Sequence, residues 1–359
     1  MRTTRKEINF KGQNIYVGID THLKNWAITI MTEELLHKTF SQDPNPILLA
    51  NYLKKNFPGG DYYSAYEASF CGFGIHRELL KLGLKNIVVN PADIPTTDKE
   101  KKQKEDKRDS RKIAKTLRAG DLKAIYVPSK ESEELRSLVR YRKTLVRDIS
   151  RGKNRIKSHL YFHGIKIPEE QAQPSKYWSN RFTTWLKGVQ LSTSFGTIVL
   201  QDLLDNNLSL RKKLLFVTKE IRSASKSDRY LKAYLLLTSV PGIGPITAMT
   251  IISELEDIAR FKNLDKLCSY IGLVPTTNST GETDRTGGVT PRANRALRSS
   301  IIESAWVAAR IDPALSLAYN ELCKRMKPTK AIIRIAKKLL NRVRYVLINE
   351  TEYVHSIIS

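Results

Sequence analysis

The strand-forming sequence of this 359-residue chain is concentrated in its first ninety residues. Three short runs rich in β-branched and aromatic residues lie within residues 14–40, and polar turns separate them. Two more apolar runs, Tyr62–Ala68 and Ile87–Val89, alternate with helical patterns over Ile47–Asn56 and Gly74–Leu82. Short adjacent runs predict antiparallel strands, and strands that alternate with helices predict parallel ones. The N-terminal part is therefore predicted to form a mixed α/β sheet.

From Asp106 onward the pattern is helical. A first helix is predicted to end near Gly120, and a long charged helix is predicted over residues 130–163, followed by a second helical region over 198–236. Two long helices of this kind predict an antiparallel coiled-coil arm. The composition changes again at Thr238, so we predict three domains: residues 1–128, 129–237 and 238–359. The last is expected to be mostly helical.

The charge balance narrows the class of partner. The chain has 61 Lys and Arg against 36 Asp and Glu, a formal net charge of +25, which is typical of proteins that bind polyanions. The excess is spread along the chain rather than confined to one amphipathic helix, so nucleic acid is favoured over a membrane surface. It is densest over Lys99–Leu160, which would suit an RNA or a DNA backbone. A basic protein without such a partner is the alternative.

Several other classes are excluded. No window approaches eighteen consecutive apolar residues, so no membrane span is expected, and the N-terminus does not resemble a secretory signal. Three widely separated cysteines and six scattered histidines form neither a disulfide framework nor a zinc pattern. We expect a reducing, cytoplasmic setting.

Four carboxylates occur where predicted elements begin or end. Asp20 ends the first predicted strand, and Glu67 ends the fourth. Asp106 and Asp109 begin a predicted helix and are three residues apart, so both lie on the same side of it. Each has an ordinary explanation, because Asp suits turns and acidic residues complement the N-terminus of a helix. Together they would repel unless a cation neutralised them, and oxygen-rich clusters select Mg²⁺ or Mn²⁺. Such a site in a basic protein indicates phosphodiester chemistry.

The same segments resemble a known family. Tyr16–Asp20 (Tyr-Val-Gly-Ile-Asp), Tyr66-Glu67-Ala68 and Lys104–Ala114 look like the DEDD pattern of the IS-110 insertion-sequence transposases. The resemblance covers residues 14 to about 127 and implies a RuvC-like, RNase H-type domain. It also implies that Asp20, Glu67, Asp106 and Asp109 bind the metal. Ser110 stands where the family often has alanine.

A glycine-rich turn begins the C-terminal region. Val240–Gly244 reads Val-Pro-Gly-Ile-Gly, precedes an apolar helix and is similar to a helix-hairpin-helix turn. The backbone N–H groups at Gly242 and Gly244 could hold a phosphate at the helix N-terminus. A plain tight turn between packed helices explains the pattern equally well.

A second resemblance follows it. The pieces Gly-Leu-Val-Pro275, Ser279-Thr-Gly281, Gly287-Gly288 and Asn294–Arg298 look like the C-terminal transposase domain of the same family. It implies that Ser279, expected in a loop, attacks DNA and becomes covalently joined to it; Thr280 is the alternative nucleophile. Four arginines follow within twenty residues, and arginines can hold a scissile phosphate. These are Arg285, Arg292, Arg295 and Arg298.

The whole resemblance implies an insertion-sequence recombinase that joins donor and target DNA through a serine-linked intermediate. It further implies a structured non-coding bridge RNA as guide and a homodimer or homotetramer as the working unit. Two alternatives remain on the residues alone. One is a metal-dependent junction nuclease in which Ser279 plays no part, and the other is a non-catalytic nucleic-acid binder.

Overall fold

The computed structural model describes residues 9–95, 106–173, 177–280 and 283–354, and for residues 106–107 and 277–286 only the backbone. The Lys-rich run Lys99–Lys104 noted in the sequence lies outside these residues. The chain divides into two compact units, Met1–Val127 and Pro128–Ser359. The three-domain division at residues 128 and 237 stays a prediction.

The first unit is built on a five-stranded mixed sheet in the order β3-β2-β1-β4-β5. β1 pairs antiparallel with β2, and β2 with β3, whereas β4 runs parallel to β1 and β5 parallel to β4. The predicted mixed sheet is confirmed. The strands are β1 (Asn14–Thr21), β2 (Trp26–Met31), β3 (Leu36–Gln42), β4 (Asp61–Glu67) and β5 (Lys85–Val89).

One face of this sheet packs on helices α1 (Pro46–Asn56) and α2 (Gly74–Lys81). Helix α1 begins where the Asn45 side chain accepts a 2.8 Å hydrogen bond from the Ile47 backbone N–H, with Pro46 in the first turn. The core on this face contains Ile15, Val17, Ile19, Leu49, Leu53, Tyr66 and Leu79. Alternation along β1 therefore leaves Gly18 and Asp20 on the opposite face.

Helix α3 (Asp106–Arg118) covers that opposite face. A Cβ atom at Gly18 would overlap the Ser110 carbonyl oxygen and the Ala114 backbone nitrogen, so the helix backbone lies directly on the strand. Ser110 is fully buried, and its hydroxyl lies 2.9 Å from the Thr29 hydroxyl on β2. This hydroxyl pair satisfies a buried polar group and explains how a serine is accommodated at this close contact.

The second unit begins with two long helices, α4 (Lys130–Phe162) and α6 (Ser194–Ala224), with the short α5 (Asn180–Gly188) between them. Their contacts pair Arg142 with Thr218, Ile149 with Asn207 and His159 with Gly196, so the two helices are antiparallel. We call α4, α5 and α6 the arm.

The helical region predicted over 198–236 is not continuous: α6 ends at Ala224, and α7 (Asp228–Ser239) follows it. The Ser225 hydroxyl donates to the Arg222 carbonyl and the Ser227 hydroxyl to the Ala224 carbonyl, each at 2.8 Å. These serines give the backbone a local alternative to helical hydrogen bonds.

The C-terminal helices share one apolar core with α7. They are α8 (Pro245–Leu255), α9 (Leu264–Ile271), α10 (Arg295–Ile311), α11 (Pro313–Cys323) and α12 (Pro328–Asn349). An antiparallel pair, β6 (Pro275–Thr280) and β7 (Thr283–Val289), lies between α9 and α10 in the chain. Across the described part of the chain, no helix combines the length and apolarity needed to cross a membrane.

Replacing Gly18 with alanine tests the close contact between β1 and α3. The new methyl group meets backbone atoms, which cannot rotate away, so α3 must shift. We expect Gly18→Ala to lower the free energy of unfolding by about 1–3 kcal/mol, measured by urea unfolding. Gly74→Ala is the matched control, because a Cβ atom there meets nothing within 4 Å. Equal stability of the two variants would contradict the close contact.

Candidate functional site

The first candidate site lies at the carboxyl ends of β1 and β4. The two strands are parallel and in register, with Gly18 beside Ala65 and Ile19 beside Tyr66. Ala65 packs with Ile113 of α3, so Ala65 and Gly18 face the same side. Side chains two residues apart share a face. Asp20 and Glu67 therefore project from neighbouring strand ends on the face that α3 covers.

Helix α3 brings the other two predicted acids to that face. Its backbone contacts β1 at Ser110 and Ala114, which places Asp109 next to the point of contact with the strand that carries Asp20. Asp106 is the first residue of the helix, as the sequence predicted, but its side chain lies outside the described residues. The fold thus brings Asp20, Glu67 and the start of α3 to one edge of the sheet.

Basic groups accompany two of these carboxylates. The His22 Nε2 atom lies 3.2 Å from Asp20 Oδ2, and the Lys112 amine lies 3.5 Å from Asp109 Oδ1. Asp20 and Asp109 keep 17% and 28% of their side-chain surface exposed, so both remain reachable from solvent. Glu67 is also half-buried.

The donor chemistry at this edge suits a divalent cation, because carboxylate oxygens are the ligands that Mg²⁺ and Mn²⁺ prefer. Among the side chains that the structure describes, no group of three or more His, Cys, Asp or Glu residues is arranged to hold a metal ion. That finding does not extend to Asp106, the fourth predicted ligand. Metal binding by the four acids stays a prediction.

The second candidate site is the β6–β7 pair. Ser279 was expected in a loop, but the structure places it in β6, paired with Asp284 of β7, and pairs Thr280 with Thr283. The expectation of a loop is wrong. The signal that could have found the strands is the run of β-branched residues at Thr276, Thr277 and Thr280, which favours a pleated surface. The side chains of Ser279, Thr280 and Arg285 lie outside the described residues.

Arg298 fixes the base of this strand pair. Its Nη1 donates to the Thr290 carbonyl at 2.6 Å and to the Gly272 carbonyl at 3.3 Å. Gly272 ends α9 in the left-handed conformation, and Thr290 follows β7 directly. Arg298 therefore joins the two chain segments that enter and leave the pair. In this state its guanidinium is engaged by backbone rather than free to hold a phosphate.

The other predicted phosphate-binding residues differ in exposure. Both Arg295, the first residue of α10, and Arg292, which precedes the helix, are exposed. Gly242 has a positive φ, and a Cβ atom there would lie 2.5 Å from the Ser304 carbonyl oxygen of α10. Gly242 therefore lets the turn pack against that helix. Gly244 is exposed at the N-terminus of α8, with open space around it. Nucleic-acid binding by these residues stays a prediction.

A buried carboxylate that sequence reasoning missed lies behind the second site. Glu254 of α8 is fully buried and accepts two hydrogen bonds from Arg140 of the arm, at 2.7 and 2.8 Å. Arg136 lies 3.6 Å from it. These hydrogen bonds raise the pKa of Arg140. The residue pattern of α8 did not indicate this role, because a single acid within an apolar helix is normally interpreted as an exposed position.

Glu254 also reaches the segment after β7. The Asn294 amide donates to Glu254 Oε2 at 2.8 Å, while its carbonyl oxygen accepts from Leu297 N–H and caps α10. The Tyr270 hydroxyl donates to the Glu254 backbone carbonyl at 3.2 Å. One buried carboxylate thus links α4, α8 and α10 at the point where the chain leaves the strand pair.

A second missed contact is polar and lies nearby on α10. The Lys143 amine hydrogen-bonds the Ser299 hydroxyl and also lies 3.5 Å from the Ala296 carbonyl. Burial lowers the pKa of Lys143, and the Glu303 carboxylate only partly opposes this effect. Together with the Glu254 contacts, this pair fixes the start of α10 against the arm.

Removing the charge of Glu254 tests its role as the link. Glu254→Gln keeps the shape but leaves Arg140 and Arg136 without their buried anion, so we expect a loss of about 3 kcal/mol in the free energy of unfolding. The matched control is Glu350→Gln, whose exposed pair with Lys232 should contribute less than about 1 kcal/mol. Chemical unfolding of both variants measures the difference. Equal losses would contradict a structural role for Glu254.

The chain is similar to known transposases at both sites. Residues 17–164 match the DEDD transposase model of the IS110 group, and residues 234–320 match the model described as "Transposase IS116/IS110/IS902 family". The first range contains all four predicted acids, and the second contains Ser279.

Individual relatives agree. "Putative transposase y4qE" of Sinorhizobium fredii is 30% identical over 68% of this chain, although the match spans only 58% of that protein. "Putative transposase y4rJ" of the same organism is 29% identical over 91% of this chain and 90% of its own length. The transposase for insertion sequence element IS1533 of Leptospira borgpetersenii is 26% identical over 70% of this chain and 72% of its own length. The chain belongs to the IS116/IS110/IS902 family of insertion-sequence transposases.

Proposed function

We propose that this protein is a DNA recombinase that cuts and rejoins donor and target DNA with two sets of residues. The acids Asp20, Glu67, Asp106 and Asp109 form one set in the first unit, and Ser279 is the nucleophile in the second. The observation that carries the proposal is the convergence at one sheet edge of Asp20, Glu67 and the start of α3, because neighbouring carboxylates repel one another unless a cation neutralises them.

The residues of this chain divide the work as follows. The four acids would hold a divalent cation, Mg²⁺ or Mn²⁺. Such an ion supplies polarisation of a phosphate oxygen and stabilises charge on the leaving oxygen. Arg292 and Arg295 are exposed, and we assign them to the DNA backbone because arginine forms bidentate contacts with phosphate. Arg298 and Glu254 position the β6–β7 pair rather than touch DNA.

The covalent step exchanges one phosphate ester bond for another and needs no outside energy source. The Ser279 hydroxyl oxygen forms a bond to the scissile phosphorus, the bond from phosphorus to the 3′ oxygen breaks, and that oxygen leaves with a proton as a 3′ hydroxyl. The 3′ hydroxyl of the partner strand then attacks the phosphoserine and regenerates Ser279. Because each ester bond replaces another, strands are exchanged without a nucleotide cofactor.

Partners and assembly belong to the same proposal. The net charge of +25 supports binding of nucleic acid. A structured bridge RNA would choose donor and target sequences by base pairing, while the protein contacts mainly backbone. A homodimer or homotetramer would bring two DNA partners together. A metal-dependent junction nuclease, which needs only the acidic edge, is the second candidate.

Covalent trapping tests the serine. The protein, its element-encoded RNA, Mg²⁺ and labelled donor DNA are incubated and separated on a denaturing gel. We expect a protein–DNA band that disappears in Ser279→Ala and persists in the control Ser137→Ala, an exposed serine on α4. A band that survives Ser279→Ala would transfer the role to Thr280. Nicked DNA without any band, equal in both variants, would favour the junction nuclease.

Substitution along β4 tests the acidic edge. Glu67 ends this strand and Asp61 begins it, paired with Lys85 at 2.9 Å. We expect Glu67→Gln to lower strand cleavage at least about a hundredfold, since one ligand is lost from a metal site, and Asp61→Asn to leave it unchanged. Cleavage should also stop with a chelator and return with Mg²⁺ or Mn²⁺. Equal activity of the two variants would remove Glu67 from the site.

A further inference from the structure

The end of the arm that contains the C-terminus of α4 carries a group of cations that repel one another. Lys153 and Lys157 lie on α4, and Arg211 lies on α6. Burial lowers the pKa of Lys153, and the positive charges of Arg211 and Lys157 lower it further. Like charges held together raise the free energy of the folded state unless an anion joins them. This part of the arm is therefore suited to an anionic ligand.

Aromatic rings fix these cations in place. The Lys157 amine lies 3.5 Å from the centre of the Tyr177 ring, and the Lys153 amine lies 5.3 Å from the centre of the Trp178 ring. Arg211 donates to the Trp178 carbonyl at 3.4 Å. Cation–π contacts orient an ammonium group but leave its charge unneutralised. The amines thus remain available to an anion.

The backbone at Trp178 supports a ligand site. Its φ of +68° lies in the left-handed region, which a bulky residue rarely adopts. Packing fixes it there, because the Trp178 and Tyr177 rings both contact the fully buried Phe182 ring, at centroid distances of 5.2 and 5.4 Å. Such strain tends to occur at ligand sites.

Two further aromatic rings next to the cations are open to solvent. Tyr161 is 60% exposed and Phe162 is 85% exposed, one turn beyond Lys157 on α4. With Asn154, Lys157 and Ser158 they line an open cavity of about 540 Å³. An exposed ring beside a cation can stack on a nucleobase while the cation contacts the adjoining phosphate. A lipid surface or an acidic peptide would offer the phosphate or carboxylate but no flat ring to stack.

From this arrangement we propose that the end of the arm binds single-stranded nucleic acid, with Lys153, Lys157 and Arg211 on the phosphates and Tyr161 and Phe162 stacked on bases. The site goes beyond the proposed recombination chemistry and does not depend on Ser279. Single-stranded RNA and single-stranded DNA share this phosphate-and-base chemistry, and the experiment below separates them.

Salt-dependent binding tests the phosphate contacts. Fluorescence anisotropy with labelled oligouridine RNA and oligothymidine DNA is measured for the full chain over a range of salt concentrations. Removing two phosphate contacts in Lys153→Ala/Lys157→Ala should reduce the slope of log affinity against log salt by about 1.4. Lys213→Ala/Lys219→Ala removes the same charge from exposed positions of α6 and should leave the slope near the parent value. Equal slopes for both double variants would overturn the proposal.

Two readouts test stacking. Phe162→Ala, at an exposed position, should lower affinity for the preferred strand about tenfold without lowering the melting temperature. Binding should also quench tryptophan fluorescence, and Trp178→Phe should remove most of that quenching.

Unchanged affinity in Phe162→Ala, or equally tight binding of polyglutamate or phosphatidylserine vesicles to the same lysines, would overturn the site. Whichever of the two probes, oligouridine RNA or oligothymidine DNA, binds more tightly identifies the kind of single strand that the site takes. Covalent trapping through Ser279 is unaffected by these outcomes, so the two proposals fail separately.

Discussion

The acidic edge of the first unit depends on one close contact between backbone and backbone. Helix α3 can lie directly on β1 because Gly18 has no side chain to separate them. With any larger residue the helix would move outward and carry Asp109 away from the strand end where Asp20 lies. The hydroxyl pair between Ser110 and Thr29 adds a directional bond at the same level. The geometry of the proposed metal site thus depends on the packing of α3 against Gly18, two residues before Asp20, the first proposed ligand.

The second unit solves a similar positioning problem with buried charge. A fully buried carboxylate is costly unless it is paired, so Glu254 requires Arg136 and Arg140 of α4 and the amide of Asn294. That requirement fixes the position of α10 relative to the arm. Arg298, one turn along α10, then holds both ends of the β6–β7 pair through backbone carbonyls. The strand pair that carries Ser279 is therefore anchored at its base and is more than a surface loop.

Much of the local structure was predictable. Strand runs and helix stops in the first ninety residues located the five strands and two helices to within two or three residues, and Asp106 was correctly expected to begin a helix. The predictions failed where short-range signals compete. Two serine hydroxyls divided a region that reads as one helix, and a threonine-rich segment that reads as a glycine-rich loop forms two strands. In both cases side-chain and cross-strand hydrogen bonds outweighed the residue pattern.

What the sequence alone determined is the order of elements, the placement of acids at their ends, the excess of positive charge and the family. These follow from periodicity, composition and short motifs, which are local properties of the chain. Only the tertiary structure decided that Asp20 and Glu67 share a face with α3, that Glu254 is an anchor rather than a surface acid, and that Arg298 is engaged by carbonyls. These contacts join residues far apart in the chain; Arg140 and Glu254, for example, are 114 positions apart. Backbone carbonyls carry no residue signature, so only the folded chain reveals which side chains they bind.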